Sequence, residues 1–384
     1  MQDITPIEFT ARVFSGVRSN GAEATLEWIE DCVSGGIIRA DNYRVIQAKA
    51  QIRDAQAQAE RFAGLQEVGP YSVISAVPEE IAPLGGIPSR FWKSSAQGLY
   101  QTSTLTVPIT ETFHTGHLDE AARVKFAEAG FGDKPVYRVD DRVYVGKNVR
   151  LSALGWSDAT AVTADGKYHP SRSARLARLT GNLLVSEPED DLELAYVLPF
   201  PYSAKNYYHS LTELAYGLRH VHTVSDDTPI IYDVDPFGLL EPVLDALGID
   251  SARLITREKA HRLEIRCAIL PDPGPFYWSS QFKSFFRSAA LRQSGDVQSS
   301  RKFYISRSRS SRSGPHESRI EELLVESNFQ VVHAEDYSFA EQMSLFASAS
   351  VLVGMHGAGM ANMVFASDDC QVIELFDERY LVRD

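Results

Sequence analysis

Gly354, His356, Gly357, Ala358 and Gly359 make a turn that follows an apolar β-branched run and opens into a short helical pattern. The three glycines remove side chains where a ligand could approach the backbone. N–H groups at the following helix start would favour an anion by roughly 0.3–2 kcal/mol. His356 and Asn362 add side-chain donors or acceptors beside the turn. Glu374 lies further on, inside the apolar strand pattern 371–376. A buried carboxylate without a partner is costly, so Glu374 needs one: a ribose hydroxyl pair or a local Arg. A phosphate-binding turn followed by a strand acid is the arrangement of nucleotide sites. The alternative for His356 is a core histidine bonded to backbone.

Upstream, the run 301–319 holds six Lys or Arg and one acid, Glu317. It stands out in a chain of net charge −13. Arg307 and Arg312 follow the strand pattern 302–306, where a loop at the carboxyl end of a strand would meet a ligand. Guanidinium forks match a diphosphate and neutralise the charge of a departing one. The alternative is a basic surface loop, to which Arg309 and Arg319 are assigned.

A third constellation lies on a helical pattern at 206–221. Leu211, Leu214, Ala215 and Leu218 share one face of the wheel, and Asn206, His209, Glu213, Tyr216 and His220 the other. His209 and Glu213 are one turn apart and can touch. A carboxylate partner orients an imidazole and makes it a better general base. An ordinary solvated face has the same spacing. His114 with His117, and His220 with His222, lack Cys or acidic partners at ligand spacing, so no metal and no other cofactor is expected. Neither a Walker P-loop nor a G-x-G-x-x-G dinucleotide fingerprint occurs, which argues against a nicotinamide-dependent oxidoreductase.

Two alternations of strand and helix must position these groups. The first places strands at 192–198, 229–232, 252–256 and 262–270, with helices at 206–221 and 237–247. A Pro-rich break at 271–275 leads into a mixed linker and helix that runs to 300. The second places strands at 302–306, 330–333, 351–355 and 371–376, with helices at 317–326 and 339–348. Ser338 and Glu341 form a capping box for the last helix. The rhythm predicts an α/β fold of two Rossmann-like domains facing a cleft: 191–275 and 301–384, joined by the linker 276–300. Residues 1–66 read as helical, being rich in good helix formers at 22–34 and 42–64, and offer a packing or oligomerisation surface. Residues 67–190 read as a β-rich region, with period-two stretches at 99–107 and 135–145 that predict a small antiparallel sheet.

The His-Gly-Ala-Gly-x-x-Asn block at 356–362, with Val-Ile-Glu-Leu at 372–375, resembles glycosyltransferase family 61. Tyr304-Ile-Ser-Arg307, Phe339-Ala-Glu-Gln342 and Asn206-Tyr-Tyr-His209 also fit, so that the resemblance covers roughly 135–376. It implies the GT-B architecture and an inverting, metal-independent transferase. A nucleotide-sugar donor would be held by Arg307, Arg312, His356, Gly357, Ala358, Gly359, Asn362 and Glu374. His209 or Glu213 would take the acceptor proton, with Asn206 and Tyr208 on the acceptor side. The acceptor would be a growing bacterial surface glycan or its lipid-linked precursor. The segment 314–318 departs from the Asn-Glu pair that usually follows the second Arg, and family members commonly continue past the last strand with a closing helix. A non-catalytic nucleotide-sugar-binding or scaffold protein on the same fold is the competing reading.

Composition narrows the setting. The 384 residues are 44% hydrophobic and 23% charged, ordinary for a globular protein of two or three domains. A net charge of −13 argues against a general nucleic-acid binder. Three widely spaced cysteines, Cys32, Cys267 and Cys370, suggest thiols in a reducing compartment. No basic-then-apolar leader opens the sequence and no run approaches 18 apolar residues. Since Golgi members of the family it resembles carry a membrane anchor or signal, the resemblance implies a bacterial cytoplasmic enzyme, with peripheral association at the inner face of the membrane to reach its acceptor.

Overall fold

Short β-branched runs bounded by Gly, Pro and Asp become strands, and most of them assemble into two sheets. The computed structural model describes residues 20–38 and scattered positions between 9 and 56. Beyond these it describes 71–75, 103–107, 120, 124, 137–141, 143–152, 161–164, 166, 182–201, 205–272, 279–295, 299–310, 313–314 and 316–376. Arg312, His114, His117 and most of the expected helix at 42–64 lie outside the described residues.

The first sheet has seven strands. They are β1 (Val143–Leu151), β2 (Ala161–Thr163), β3 (Asp190–Leu192), β4 (Ala195–Val197), β5 (Ile230–Tyr232), β6 (Leu254–Thr256) and β7 (Leu263–Pro271). The order is β6-β5-β4-β7-β1-β2, with β3 also beside β7. Strands β6, β5, β4 and β7 run parallel. β7 is antiparallel to β1, with Ile265 opposite Val149 and Ile269 opposite Val145. Strands from both sides of residue 190 therefore share one mixed sheet. Two further antiparallel pairs join Tyr71–Ser75 to Asn182–Ser186 and Ser103–Val107 to Tyr137–Asp141.

The second sheet contains β8 (Arg301–Ile305), β9 (Gln330–Val332), β10 (Ala349–Met355) and β11 (Gln371–Leu375). All neighbours are parallel, in the order β9-β8-β10-β11. The chain leaves β8 toward β9 and returns to the other side of β8 with β10. That reversal makes a switch point at the carboxyl ends of β8 and β10, the place where open α/β sheets bind ligands.

Helices complete the frame, among them α1 (Ala22–Ser34), α2 (Leu240–Leu247), α3 (Ser280–Ser294), α4 (Glu317–Glu326) and α5 (Phe339–Ala347). The capping box is formed as expected, Ser338 N–H donating to Glu341 Oε2 at 2.7 Å and Glu341 N–H to Ser338 Oγ at 3.3 Å. α3 is the helical part of the mixed linker and helix expected at 276–300, and it joins the two halves. The Ser279 hydroxyl accepts from Phe282 N–H at its start. Phe282 meets Tyr216 of the first half at 4.8 Å, and Phe286 meets Phe365 of the second at 5.9 Å. Tyr196 and Leu214 on one side and Phe303 and Leu352 on the other belong to a single apolar core. Burying each such side chain is worth roughly 1.5–3 kcal/mol, so the two sheets are packed as one body through α3.

The segment expected as a plain helix at 206–221 is more irregular. It runs as a single α turn at Tyr207–His209, a π-helical stretch at Ser210–Leu214 and a 3-10 stretch at Ala215–Thr223. Every residue from Ser210 to Leu218 is buried, Glu213 and Tyr216 included. The alternative of an ordinary solvated face thus does not hold over Ser210–Leu218. The cause is twofold: the segment is packed into the shared core, and the change of helix type rotates side chains away from a 100° spacing. The three cysteines are unpaired thiols. Among the described residues, no helix is long and apolar enough to cross a membrane.

Candidate functional site

The switch point of the second sheet brings Arg307 and the 354–359 turn together. Arg307 lies just past β8, and its Nη1 donates to the carbonyl of His356 just past β10. Gly357 sits at φ 153°, a conformation that disfavours a side chain. A Cβ there would also lie 2.6 Å from Nη1 of Arg307. Gly354 serves packing in the same way, since a Cβ would approach Met360 Sδ to 2.6 Å and Ile305 Cβ to 3.2 Å. The glycine spacing therefore makes room first for protein atoms, the guanidinium among them, rather than for a ligand alone. Beyond the turn the chain forms a 3-10 helix at Ala358–Phe365.

His356 and Glu374 are partners. Nδ1 of His356 lies 2.9 Å from Oε1 of Glu374, and the His356 N–H donates to Leu375 O at 2.7 Å. The imidazole also stacks on Phe376, 4.9 Å between centroids. Within the protein, the partner of Glu374 is this histidine, where a local Arg was one of the two partners expected. Glu374 remains half-exposed, so this contact uses one oxygen and leaves the carboxylate at the surface of the turn.

Asn362 is a correction. It was expected to contact the donor, yet it has no exposed surface. Its Oδ1 accepts from the Tyr207 hydroxyl at 2.5 Å and its Nδ2 donates to Gln342 Oε1 at 2.9 Å. Gln342 in turn donates to the carbonyls of Ala334 and Tyr337, both at 3.0 Å. A buried amide with both ends used is a brace. It holds the Tyr207–His209 turn against the segment that follows His356. Asn206 is likewise committed, its side chain capping that turn by accepting from Tyr208 N–H at 3.0 Å.

On the turn itself, Nδ1 of His209 lies 3.0 Å from Oε1 of Glu213. The Glu213 side chain is 1% exposed and that of His209 16%. With Nδ1–H donated to the carboxylate, the ring lone pair lies on Nε2. The Tyr208 ring meets that of His209 edge-on, 5.5 Å between centroids. With Thr212, Phe282, Met363, Val364 and Val372, Tyr208 lines a cavity of about 390 Å³ between the two halves.

The basic run divides as follows. Arg309 pairs with Asp336 at 2.7 Å and Arg319 with Glu322 at 2.9 Å, both on the surface. Arg307 alone of the described three reaches the turn. Sequence reasoning assigned no role to Tyr207, Tyr304, Gln342 or Glu317. Tyr304 donates its hydroxyl to Glu317 Oε1 at 2.8 Å, and the Arg307 N–H donates to the same oxygen at 2.7 Å. Burial first, then Glu317, holds the Tyr304 phenol above its ordinary pKa. A signal for Glu317 was present, as the single acid in a basic run. Among the described residues, no group of three His, Cys, Asp or Glu could hold a metal ion.

In comparison with known families, residues 198–373, which include His209, Glu213, Arg307, His356 and Asn362, match the family model described as Glycosyltransferase 61. No curated protein matches the chain.

Proposed function

We propose, from the match of residues 198–373 to the Glycosyltransferase 61 family model, that the chain transfers a sugar from a nucleotide-sugar donor to a glycan hydroxyl with inversion at the anomeric carbon. The carrying observation is the contact of Arg307 with the His356 turn at the carboxyl ends of β8 and β10. There, a guanidinium lies against the glycine turn, where a diphosphate would sit. The donor takes the second sheet, with Glu374 and His356 at the nucleoside side. The acceptor takes the side of Tyr208 and His209. The two halves then act as donor and acceptor domains of GT-B type, here braced by Tyr207 and Asn362.

In the proposed reaction His209 accepts the acceptor hydroxyl proton at Nε2 while Glu213 holds Nδ1–H. The acceptor oxygen forms its bond to the anomeric carbon as the bond to the diphosphate oxygen breaks, and that electron pair leaves with the diphosphate. Arg307 and the turn stabilise the charge that develops there. Preorganised donors of this kind are typically worth about 2.7–4 kcal/mol each, and the proposed chemistry draws on these groups and on no metal or other cofactor. A bacterial surface glycan or lipid-linked precursor as acceptor, and action at the inner face of the membrane, belong to the same proposal.

The test has two steps. Nucleoside diphosphates and nucleotide sugars are screened by thermal shift, where a ligand at 100 times its Kd adds about 2.7 kcal/mol. Transfer is then followed with the donor that binds, in wild type and Arg307→Ala. The reading expects Arg307→Ala to lower turnover more than it lowers affinity for the bare nucleoside. Stabilisation by no nucleotide, or an unchanged turnover in the variant, overturns it.

A further inference from the structure

Glu317 is the one buried carboxylate in the basic run, and no role in ligand binding accounts for it. It is 3% exposed and occupies the first turn of α4. The helix start favours a negative charge there. Its Oε1 accepts from two donors fixed in β8 and just beyond: the Tyr304 hydroxyl and the Arg307 N–H. Its Oε2 has no hydrogen-bond partner. A carboxylate left half-satisfied in the interior is a poor device for stability alone.

The geometry explains the charge differently. Arg307 is held at both ends. Its main-chain N–H is tied to Glu317, and its guanidinium is tied to the His356 carbonyl beside the space left by Gly357. A flexible side chain anchored twice keeps its fork aimed at the turn. From this we infer that Glu317 is a positioning residue: it fixes the peptide of Arg307 so that the guanidinium stays at the diphosphate position of the 356–359 turn. The inference rests on the donor-site reading above.

The experiment is a double-mutant cycle on affinity for uridine, guanosine, cytidine and adenosine diphosphates, measured by calorimetry with melting temperatures alongside. The variants are Glu317→Ala, Glu317→Asp and Glu317→Gln, each alone and with Arg307→Ala. Glu317→Ala should weaken the binding diphosphate roughly tenfold or more, as for a lost bond to a charged group. Glu317→Asp keeps the charge but falls one methylene short, and should weaken it too. Glu317→Gln keeps an acceptor oxygen in place and should retain most of the affinity. Combined with Arg307→Ala, none of them should add a further loss. Independent losses that multiply overturn the inference, as does a Glu317→Ala protein that melts lower but binds normally. Should Glu317→Ala fail to fold, the order of Gln above Asp decides, and the reverse order overturns it. An Arg307→Ala variant of normal affinity overturns the donor-site reading and this inference together. A normal Glu317→Asp beside a weakened Arg307→Ala overturns this inference alone.

Discussion

The Tyr207 hydroxyl donates to Asn362 Oδ1 at 2.5 Å and so ties the turn bearing His209 to the segment that follows His356. The two residues are far apart in sequence, and the family block that contains each gives no hint that they meet. Phe237 and Phe339 pack edge-on against the Tyr207 ring, 5.5 and 6.4 Å away. Burial raises the Tyr207 phenol above its ordinary pKa, with the Asn362 bond acting the other way. The hydroxyl therefore stays a donor.

Tyr207→Phe should cost about 1–3 kcal/mol, because it strands the buried Asn362 oxygen. Chemical denaturation of both proteins measures this. Transfer should fall by more than donor affinity, since the acceptor-side turn is what loosens. A variant as stable and active as wild type would make the bond incidental.

His209→Ala should keep donor affinity and lose transfer by on the order of 100-fold or more, the range for a general base. Glu213→Gln should lose less, as expected of a residue that orients the ring. Product formation against donor binding separates the two effects. Wild-type transfer by His209→Ala would place the base elsewhere; a dead Glu213→Gln beside an active His209→Ala would exchange the roles.

Glu374→Ala should weaken nucleotide binding with little change in fold, since the residue is half-exposed on an edge strand. The ligand that suffers tells the route. A ribose contact predicts weaker binding of the nucleoside as well as the diphosphate. Loss of His356 orientation predicts a weaker diphosphate and an unchanged nucleoside. Equal affinity for both would remove Glu374 from the site.

Gly357→Ala should act as a displaced Arg307. The new Cβ would lie 2.6 Å from Nη1 on a backbone at φ 153°. The backbone strain alone costs about 1–3 kcal/mol. Turnover should fall toward the Arg307→Ala level, and adding Arg307→Ala should restore part of the stability by removing the clash. Full additivity of the two in melting experiments would argue against the contact.

A pH test follows from Asp235, which accepts from the Leu240 N–H at 2.8 Å. Burial raises its carboxyl above 3.8, against hydrogen bonds from backbone N–H groups. The folded state thus holds the proton more tightly than the unfolded chain. Its contribution is full below pH 3.8 and is lost as pH rises through the folded pKa. Asp235→Asn removes that loss, so its stability relative to wild type should improve between pH 4 and pH 7. Denaturation midpoints at both pH values check it, and a gap that does not move with pH sinks the idea.

Local periodicity was enough for much of the frame. The parallel rhythm of the C-terminal half, the helix at 317–326 and the Ser338–Glu341 cap depend on neighbours in sequence, and all three are formed. The His209–Glu213 contact was legible for the same reason, being a matter of one helical turn. Arg307 and the glycine turn were each placed at a strand end by their sequence, but their direct contact came only with the strand order of the second sheet.

Burial and long-range partners were decided only by the tertiary structure. A wheel assumes one helix type with one wet face, whereas the 207–223 segment changes type and is packed into the shared core, so Tyr216 and Glu213 are buried. Asn362 reads as a ligand group beside a glycine turn, and only the approach of Tyr207 and Gln342 turns it into a brace. Glu317 reads as part of a charged run, yet its carboxylate is enclosed because α4 starts directly behind β8. Each of these follows from a contact between distant segments. A hydrogen bond is directional over about 3 Å, so sequence spacing cannot assign it when the partner comes from another element.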